Sequence, residues 1–509
     1  MSRRVLLSLL LTLACAHAPE PAPTSAPPAP SPQKALEASA QPKTIPGEEV
    51  LAEQPAIPPL APFNAPVPTV TTLKNGLKLY VVERKGELEG LALVVKRGGT
   101  SDPAKLPGLA SMSAAMLETG AGGMTQFQLA QAADRIGAHL NASASDDATV
   151  ISISAMPEKL GPMVSLLSAM ALKPTLSSAE WKKLSARRLA ELLAQRAEPS
   201  VAASLAWRKA TYGTHPLGEP VDGTPESIQR MKLSDVRAFI KGFAPGDSAI
   251  IAVGGAPAEQ VKAALEKAFQ GWKGRSVPDA ALVKRVQAPP AQGPRFIAVD
   301  FPGKPQTVIR MGEPSVSRAS PDYLALNVLN AVLGGSFTSR LNQNLREQHG
   351  YTYGAFSRFA FGVGPGPFLV ATNVKTDVTA PALEQIFAEL GRAAKQPISE
   401  AELAKGKALL AFDLVQQLEH TSSETGAIAA IFLYDLPLDE YQTFVPRLNA
   451  VTLADVQGAA QRALHPDRMT LAVAGDLKTI LPEIAKSTTL SLPAPARWGP
   501  DGAPLPAKQ

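Results

Sequence analysis

The chain has 509 residues, 45% of them hydrophobic and 19% charged, enough apolar material for more than one core. Its 50 Lys and Arg are interspersed with 45 Asp and Glu, a formal charge of +5 that falls to +3 without Arg3 and Arg4, and no basic stripe of the kind nucleic acid needs runs along it. A single cysteine, Cys15, excludes an internal disulfide and a multi-thiolate metal site.

Arg3 and Arg4 precede a short apolar run, Val5 to Leu13, too brief to span a bilayer as a helix and of the form of a secretory signal within residues 1–18. Two processing routes fit. Leu13-Ala14-Cys15 has the form of a bacterial lipoprotein site with leader 1–14, although Thr12 stands three before the cysteine in place of leucine; Ala16-His17-Ala18 suits ordinary signal cleavage. The expectation is export, to the bacterial periplasm or as an outer-membrane lipoprotein held by acyl chains on Cys15. Between Pro19 and Pro68 lie 15 of the 47 prolines, so residues 19–69 read as an extended Pro/Ala-rich tether.

The folded part is expected from near Val70 to near Leu492, with a Pro-rich tail at 493–509. "TLKNGLKLYVVE", 72–83, reads as strand, Asn-Gly turn, strand. In "GLASMSAAMLETGAGG", 108–123, Leu109, Met112, Ala115 and Met116 recur at the spacing of one buried helical face, yet the helix carries no chemistry. "ATVISISAM", 148–156, alternates Val150, Ser152, Ser154 against Ile151, Ile153, Ala155, a strand pattern. A long helix is expected over 176–195, started by Ser177 and Ser178 with Glu180 in its first turn and stopped before Glu198-Pro199.

The chain then repeats itself. "KLSDV" at 232–236 with "IIAVGG" at 250–255 recurs as "TLADV" at 452–456 with "TLAVAG" at 470–475, each shifted by 220, and Glu180 is echoed by Glu402. Each copy runs strands, apolar helix, strands, long helix, closing helix and strand. Two homologous α+β domains follow, 70–285 and 290–492. "GVGPGP", 362–367, lacks the Gly-Lys-Ser/Thr of a phosphate loop and reads as a hairpin turn; the glycines of "LGGS", 333–336, read as a helix end or a close backbone approach.

"NGLKLYVVE", "LALVVKRGGTSDPAKLPGLA" (91–110) and "YGTHPLGEPVDGTPESIQRM" (212–231) together resemble the first domain of the M16 (insulinase or pitrilysin) metallopeptidases, in the two-domain form shared with mitochondrial processing peptidase. The resemblance covers about 70–490 and implies two M16-type, LuxS/MPP-like domains closing as a clamshell. In active members Gly-Leu-Ala is followed by H-x-x-E-H on a helix, where two imidazoles four apart share zinc and the carboxylate takes a proton from bound water. Here those positions are Ser111, Ala114 and Ala115, so the resemblance implies a member that has lost its zinc motif. The family's downstream glutamate ligand falls at Leu192 or, shifted by one, at Glu191, which alone cannot hold zinc. His17, His139, His215, His349, His420 and His465 include no pair at i and i+4 and read as ordinary surface or core histidines, so no cofactor is expected in this chain.

"GGSFTSRLNQNLREQHGYTYGAFSRF", 334–359, resembles the family pattern in which an arginine near a helix end and a tyrosine seven residues later face the active cavity and bind substrate. These are Arg346 and Tyr353. Gly350 is expected to end the helix in a left-handed conformation, and a strand to carry Tyr351, Tyr353 and Ala355 on one face. A plainer alternative gives Arg346 a salt bridge with a carboxylate on its helix and Tyr353 a place in the core. Because two-domain members work as pairs, the resemblance implies a subunit inactive by itself that supplies Arg346 and Tyr353 to an HxxEH-bearing M16 partner holding zinc, with peptides as substrates. The rival expectation is a non-proteolytic scaffold or peptide-binding protein of the cell envelope.

Overall fold

Gly76 takes φ +90° and Asn75 Oδ1 accepts a hydrogen bond from Leu77 N at 3.2 Å, reversing the chain between β1 (Thr69–Thr72) and β2 (Lys78–Glu83). The computed structural model describes residues 63–84, 88–274 and 295–506. The leader with Cys15, most of the Pro/Ala-rich tether and the join between the two expected domains lie outside the described residues.

With β3 (Glu89–Val95), β4 (His139–Ala144), β5 (Thr149–Ala155) and β6 (Ser248–Gly254), the first six strands form one sheet in the order β1-β2-β6-β3-β5-β4. Only β2 and β6 run parallel. The helices of this half are α1 (Leu109–Leu117), α2 (Gln126–Asp134), α3 (Leu160–Leu172), α4 (Ser178–Gln195), α5 (Pro199–Tyr212), α6 (Pro225–Arg230), α7 (Leu233–Lys241) and α8 (Ala258–Phe269). Alternation along the strands turns Leu79, Leu91, Leu93, Ile151, Ile153 and Ile250 to one face, where they are buried in a single cluster with residues of α1, α3, α7 and α8.

The second half repeats this plan. β7 (Arg295–Asp300), β8 (Gln306–Pro314), α9 (Tyr323–Leu333), α10 (Arg340–Asn342), β9 (Ala355–Phe359), β10 (Pro367–Lys375), α11 (Thr379–Lys395), α12 (Glu400–Glu419), α13 (Thr421–Leu433), α14 (Phe444–Ala450), α15 (Leu453–Ala463), β11 (Thr470–Gly475), α16 (Leu477–Lys486) and β12 (Ala496–Trp498) follow in order. Its sheet runs β12-β7-β11-β8-β10-β9, and its last five strands correspond one by one to β2-β6-β3-β5-β4. The two expected α+β domains are there. The long helices also start as their sequences require: Ser177 Oγ accepts from Ala179 N and Glu180 N, and Ser399 forms a capping box with Glu402.

The repeat needs one correction of register. The shift of 220 holds for one helix pair, where Leu233 opens α7 and Leu453 opens α15, but β6 and β11 end at Gly254 and Gly475, 221 apart. Ile250 and Ala252 face the helices in the first half, as Leu471 and Val473 do in the second. Side chains alternate across a strand, so a shift of 220 would turn the core face outward.

A mixed sheet exposing apolar side chains on both faces needs two covers, and here the second cover comes from the other half. α5 lies on β7, β8 and β11, burying Ala202, Ala203, Ala206 and Trp207 against Ile297, Val299 and Ala472. Its alanines let the backbone approach the sheet, and Trp207 Nε1 donates to Thr470 O at 3.1 Å. In return α13 lies on β3 and β6, with Ile428 and Phe432 buried in one cluster with Tyr80, Val94 and Ile251. Arg84 on the first half meets fully buried Glu424 of α13 at 2.7 Å. Each large apolar side chain buried in these joints contributes about 1.5–3 kcal/mol. The expected join between 285 and 290 lies outside the described residues; in space, the two halves exchange one helix each.

The expected tail is corrected as well. β12 pairs in parallel with β7 as an edge strand, because Trp498 has an apolar face to pack beside the α5 cluster. At the other end the tether reaches the core before residue 69, where Ala65 is 3% exposed.

Candidate functional site

α1 begins at Gly108, whose φ of +92° places it against Gly223, itself at φ +81°. A Cβ on Gly108 would lie 2.6 Å from Gly223 Cα, so only glycine lets the helix start so close to the 220–224 turn. Asp102 caps the helix: its carboxylate accepts from Gly108 N at 2.8 Å, Leu109 N at 3.0 Å and Ala110 N at 2.9 Å. Desolvation nonetheless pushes its pKa up to about 7, against the pull of those three donors. Leu109, Met112, Met116 and Leu117 are buried, and Ala115 packs half-buried against the same cluster, as their spacing requires.

The positions of the lost motif hold a different arrangement. Ala114 is 1% exposed in the core, and Ser111 Oγ donates to Asp222 Oδ1 at 3.0 Å. Arg188 of α4 donates to the same oxygen at 2.7 Å and lies 3.7 Å from Glu191, which also lies 3.5 Å from Arg187. Leu192, not Glu191, turns into the core. A guanidinium flanked by two carboxylates thus stands beside α1, and this donor set does not fit zinc: Ser111, Ala114 and Ala115 offer no imidazole, and Glu191 is engaged by arginines. Among the described residues no three His, Cys, Asp or Glu side chains converge on an ion site. His139 is exposed on β4, and His215 Nδ1 accepts from Leu217 N at 3.1 Å.

β4, beside α1, is the edge of its sheet, so among the described residues no strand pairs with one side of its backbone. Glu118, at the end of α1, accepts from Ala142 N at 2.6 Å and holds strand and helix together; burial raises its pKa.

In the second half the Arg/Tyr signature is built around Asn342. Its Nδ2 donates to Ser336 O at 3.1 Å and its Oδ1 accepts from Ala355 N at 2.9 Å, tying both flanks of the segment to one side chain. Arg340 forms two 2.7 Å bonds to Glu402, the capping residue of α12, and holds that carboxyl down at about 2. After α10 the turn widens over Gln343–Gln348, and Gly350, at φ +64°, donates to Arg346 O at 3.0 Å, the left-handed stop the sequence requires.

Arg346 stacks on Phe337, 4.2 Å from the ring centroid, with Nε 3.5 Å from Glu347. Its Nη1 is buried with no hydrogen-bond partner among the described residues. Tyr353 is 91% exposed. The strand starts only at Ala355, so Tyr351, Tyr353 and Ala355 do not share a strand face: Tyr351 is half-buried against the core and His349, Tyr353 faces solvent and Ala355 is buried. Thr352 Oγ1 accepts from Gly354 N and also donates to Gly354 O, both at 3.0 Å, a tight turn that breaks the alternation.

Tyr353 opens onto a groove of about 430 Å³ that it shares with Arg310, Phe356, Ala371 and Asn373. Arg346 is not part of its lining. Arg310, in the middle of β8, was not singled out by sequence; the signal was one cation inside the apolar run "QTVIRMG".

Two family models cover the chain: the insulinase model (peptidase family M16) matches residues 82–225 and the "peptidase M16 inactive domain" model matches 230–410. A Bacillus subtilis protein named as an uncharacterized zinc protease, YmxG, is 24% identical over 404 residues, 78% of this chain and 95% of its own. A Helicobacter pylori "non-peptidase homolog YmxG" is 23% identical over 422 residues, 79% of this chain and 93% of its own. The crystal structure of a peptidase M16 inactive domain from Pseudomonas fluorescens superposes with a TM-score of 0.74 at 26% identity, covering 80% of this chain and 98% of that one.

Proposed function

The chain belongs to the M16 (insulinase) peptidase family as a member without the catalytic motif, and on that premise we propose that it is a peptide-binding subunit that does not cut peptides by itself. It pairs with an H-x-x-E-H family member that holds zinc, and presents Tyr353 and Arg346 to the peptide bound between them. The carrying observation is Tyr353: a phenol 91% exposed at the mouth of a groove can donate to a ligand, while α1 in the fold's other half has no group that activates water. The edge position of β4, with no strand beyond it among the described residues, supports the reading, because an extended peptide can add there where Glu118 does not already hold Ala142 N.

The test is reconstitution. An H-x-x-E-H partner should co-purify with the chain, and Tyr353→Phe or Arg346→Ala should slow hydrolysis by the pair while assembly persists. Purified without that partner, the chain should carry less than one zinc per molecule by mass spectrometry. Normal cleavage by both variants would favour the scaffold reading, which the stacking of Arg346 on Phe337 supports.

The pair would act outside the cytoplasm, with the chain exported by its leader and held to a membrane through Cys15. Among the described residues no helix is long and apolar enough to cross a membrane. Incorporation of labelled palmitate into wild type and not into Cys15→Ser checks the anchor.

A further inference from the structure

The face of the second sheet turned away from α9 and α11 is only partly covered by α5. Beyond that helix it shows Phe356 and Arg358 from β9, Ala371, Asn373 and Lys375 from β10, and Arg310 from β8. The register fixes their neighbourhood: Ala371 pairs with both Arg310 and Phe356, so a small residue forms the floor between a guanidinium and an exposed aromatic ring. The only acid on these three strands, Glu313, points to the opposite face, where it is buried and accepts from His465 N at 2.6 Å.

Arg310 is the unusual member. It is half-buried, its Nε donates to Ser204 Oγ at 3.2 Å and its Nη1 to Ile309 O at 2.9 Å, and among the described residues no carboxylate pairs with it. Desolvation lowers its pKa, yet it stays charged. A cation withdrawn from water without a counter-ion is costly, and proteins retain it where a ligand supplies the anion. Arg358 and Lys375 likewise make no ion pair among the described residues, although Arg358 also lines a neighbouring cavity with Asp146 and Asp147.

We infer that the groove shared by Arg310 and Tyr353 selects peptides with a Glu or Asp side chain, which Arg310 receives through its free Nη2 edge while Phe356 and Tyr353 hold the adjoining apolar residue. This rests on the peptide-binding reading and names its substrate class. The occupant follows from charge: these three strands put three cations and no acid on this face, with Asp146 and Asp147 near Arg358 alone and outside the groove lining, which favours an anionic segment beside Arg310 and repels a basic one.

Binding of fluorescein-labelled ten-residue peptides to the full chain by anisotropy tests this, using three sequences that differ only at a central Glu, Gln or Lys beside Phe. The Glu peptide should bind about tenfold tighter than the Gln peptide, and the Lys peptide weakest, with the spread shrinking in high salt. Arg310→Gln should bring the Glu and Gln peptides within about twofold, with the larger loss on the Glu peptide, and Ser204→Ala should keep the preference. Equal binding of all three peptides to wild type overturns the inference and leaves peptide binding standing. No binding of any of them overturns both. Equal loss for every peptide in Arg310→Gln and Ser204→Ala would make Arg310 a brace between β8 and α5, and overturn it too.

Discussion

On the open face of the first sheet, Ser152 and Ser154 of β5 stand beside Asn141 and His139 of β4. On the matching face of the second, Ala371 of β10 stands between Phe356 and Arg310, with Lys375 further along the strand. The strand order is the same, and so is the buried side of each sheet. Those β4 and β5 residues are polar and include no Lys or Arg; the second face is cationic and aromatic. The positions that pack and the positions that meet solvent alternate along the same strands, so each set can change without the other. α1 makes the same point on a helix, where Met112 and Met116 still fill the core while Ser111 is only a hydrogen-bonding partner of Asp222.

If packing in α1 is independent of its lost chemistry, Met112→Ala should cost as much as Leu329→Ala in α9, about 3 kcal/mol each by urea denaturation. Both side chains are at most 1% exposed. A loss under about 1 kcal/mol at Met112 alone would break the comparison, showing α1 loosened once its chemistry went.

The second half is further tied by Arg340. Arg340→Ala should cost about 2 kcal/mol, because it leaves the capping carboxylate of α12 without its partner. Glu402 is held down at about 2, so this contribution is present above its ordinary value near 4.5 and is lost as pH falls through about 2. Acid titration of wild type and Arg340→Ala should therefore converge at the lowest pH.

Asp147 sharpens the joint between the halves. Its Oδ2 accepts from Val363 N at 3.0 Å across that joint, and burial pushes it up to about 6. The folded chain keeps a proton that the unfolded chain has released, so Asp147's contribution is full below about pH 4 and fades as pH rises through 6. Asp147→Asn keeps the acceptor and removes the charge; it should melt about 2 °C above wild type at pH 7.5 and about level with it below pH 4. Smallest of all, Arg188→Ala should change stability by about 0.5 kcal/mol, since Asp222 is 63% exposed and screened by water.

Local chemistry was legible in the sequence. The Asn75-Gly76 turn, the cap at Ser177, the alternation of β5 and the left-handed Gly350 each depend on neighbours within a few residues. What depends on distant partners was not. The exchange of α5 and α13 is written in no periodicity, because an apolar helical face does not say which sheet it will cover. The extra residue between α15 and β11 hid behind similar letters, "IIAVGG" and "TLAVAG", whose small apolar residues tolerate a slip that the sheet forbids. Tyr353 was found by its motif, yet its neighbour Arg310 lies 43 residues away in sequence and came together with it only through the pairing of β8, β10 and β9.

The exchanged helices give the molecule no seam. Cut between its repeats, the gene would yield two polypeptides, each with a bare sheet surface and a helix that has nothing of its own to lie on. Expressed apart they should be sticky and poorly formed; expressed together they should acquire shape and each other in a single event, so that what reads as duplication along the chain behaves, in the test tube, as one indivisible body.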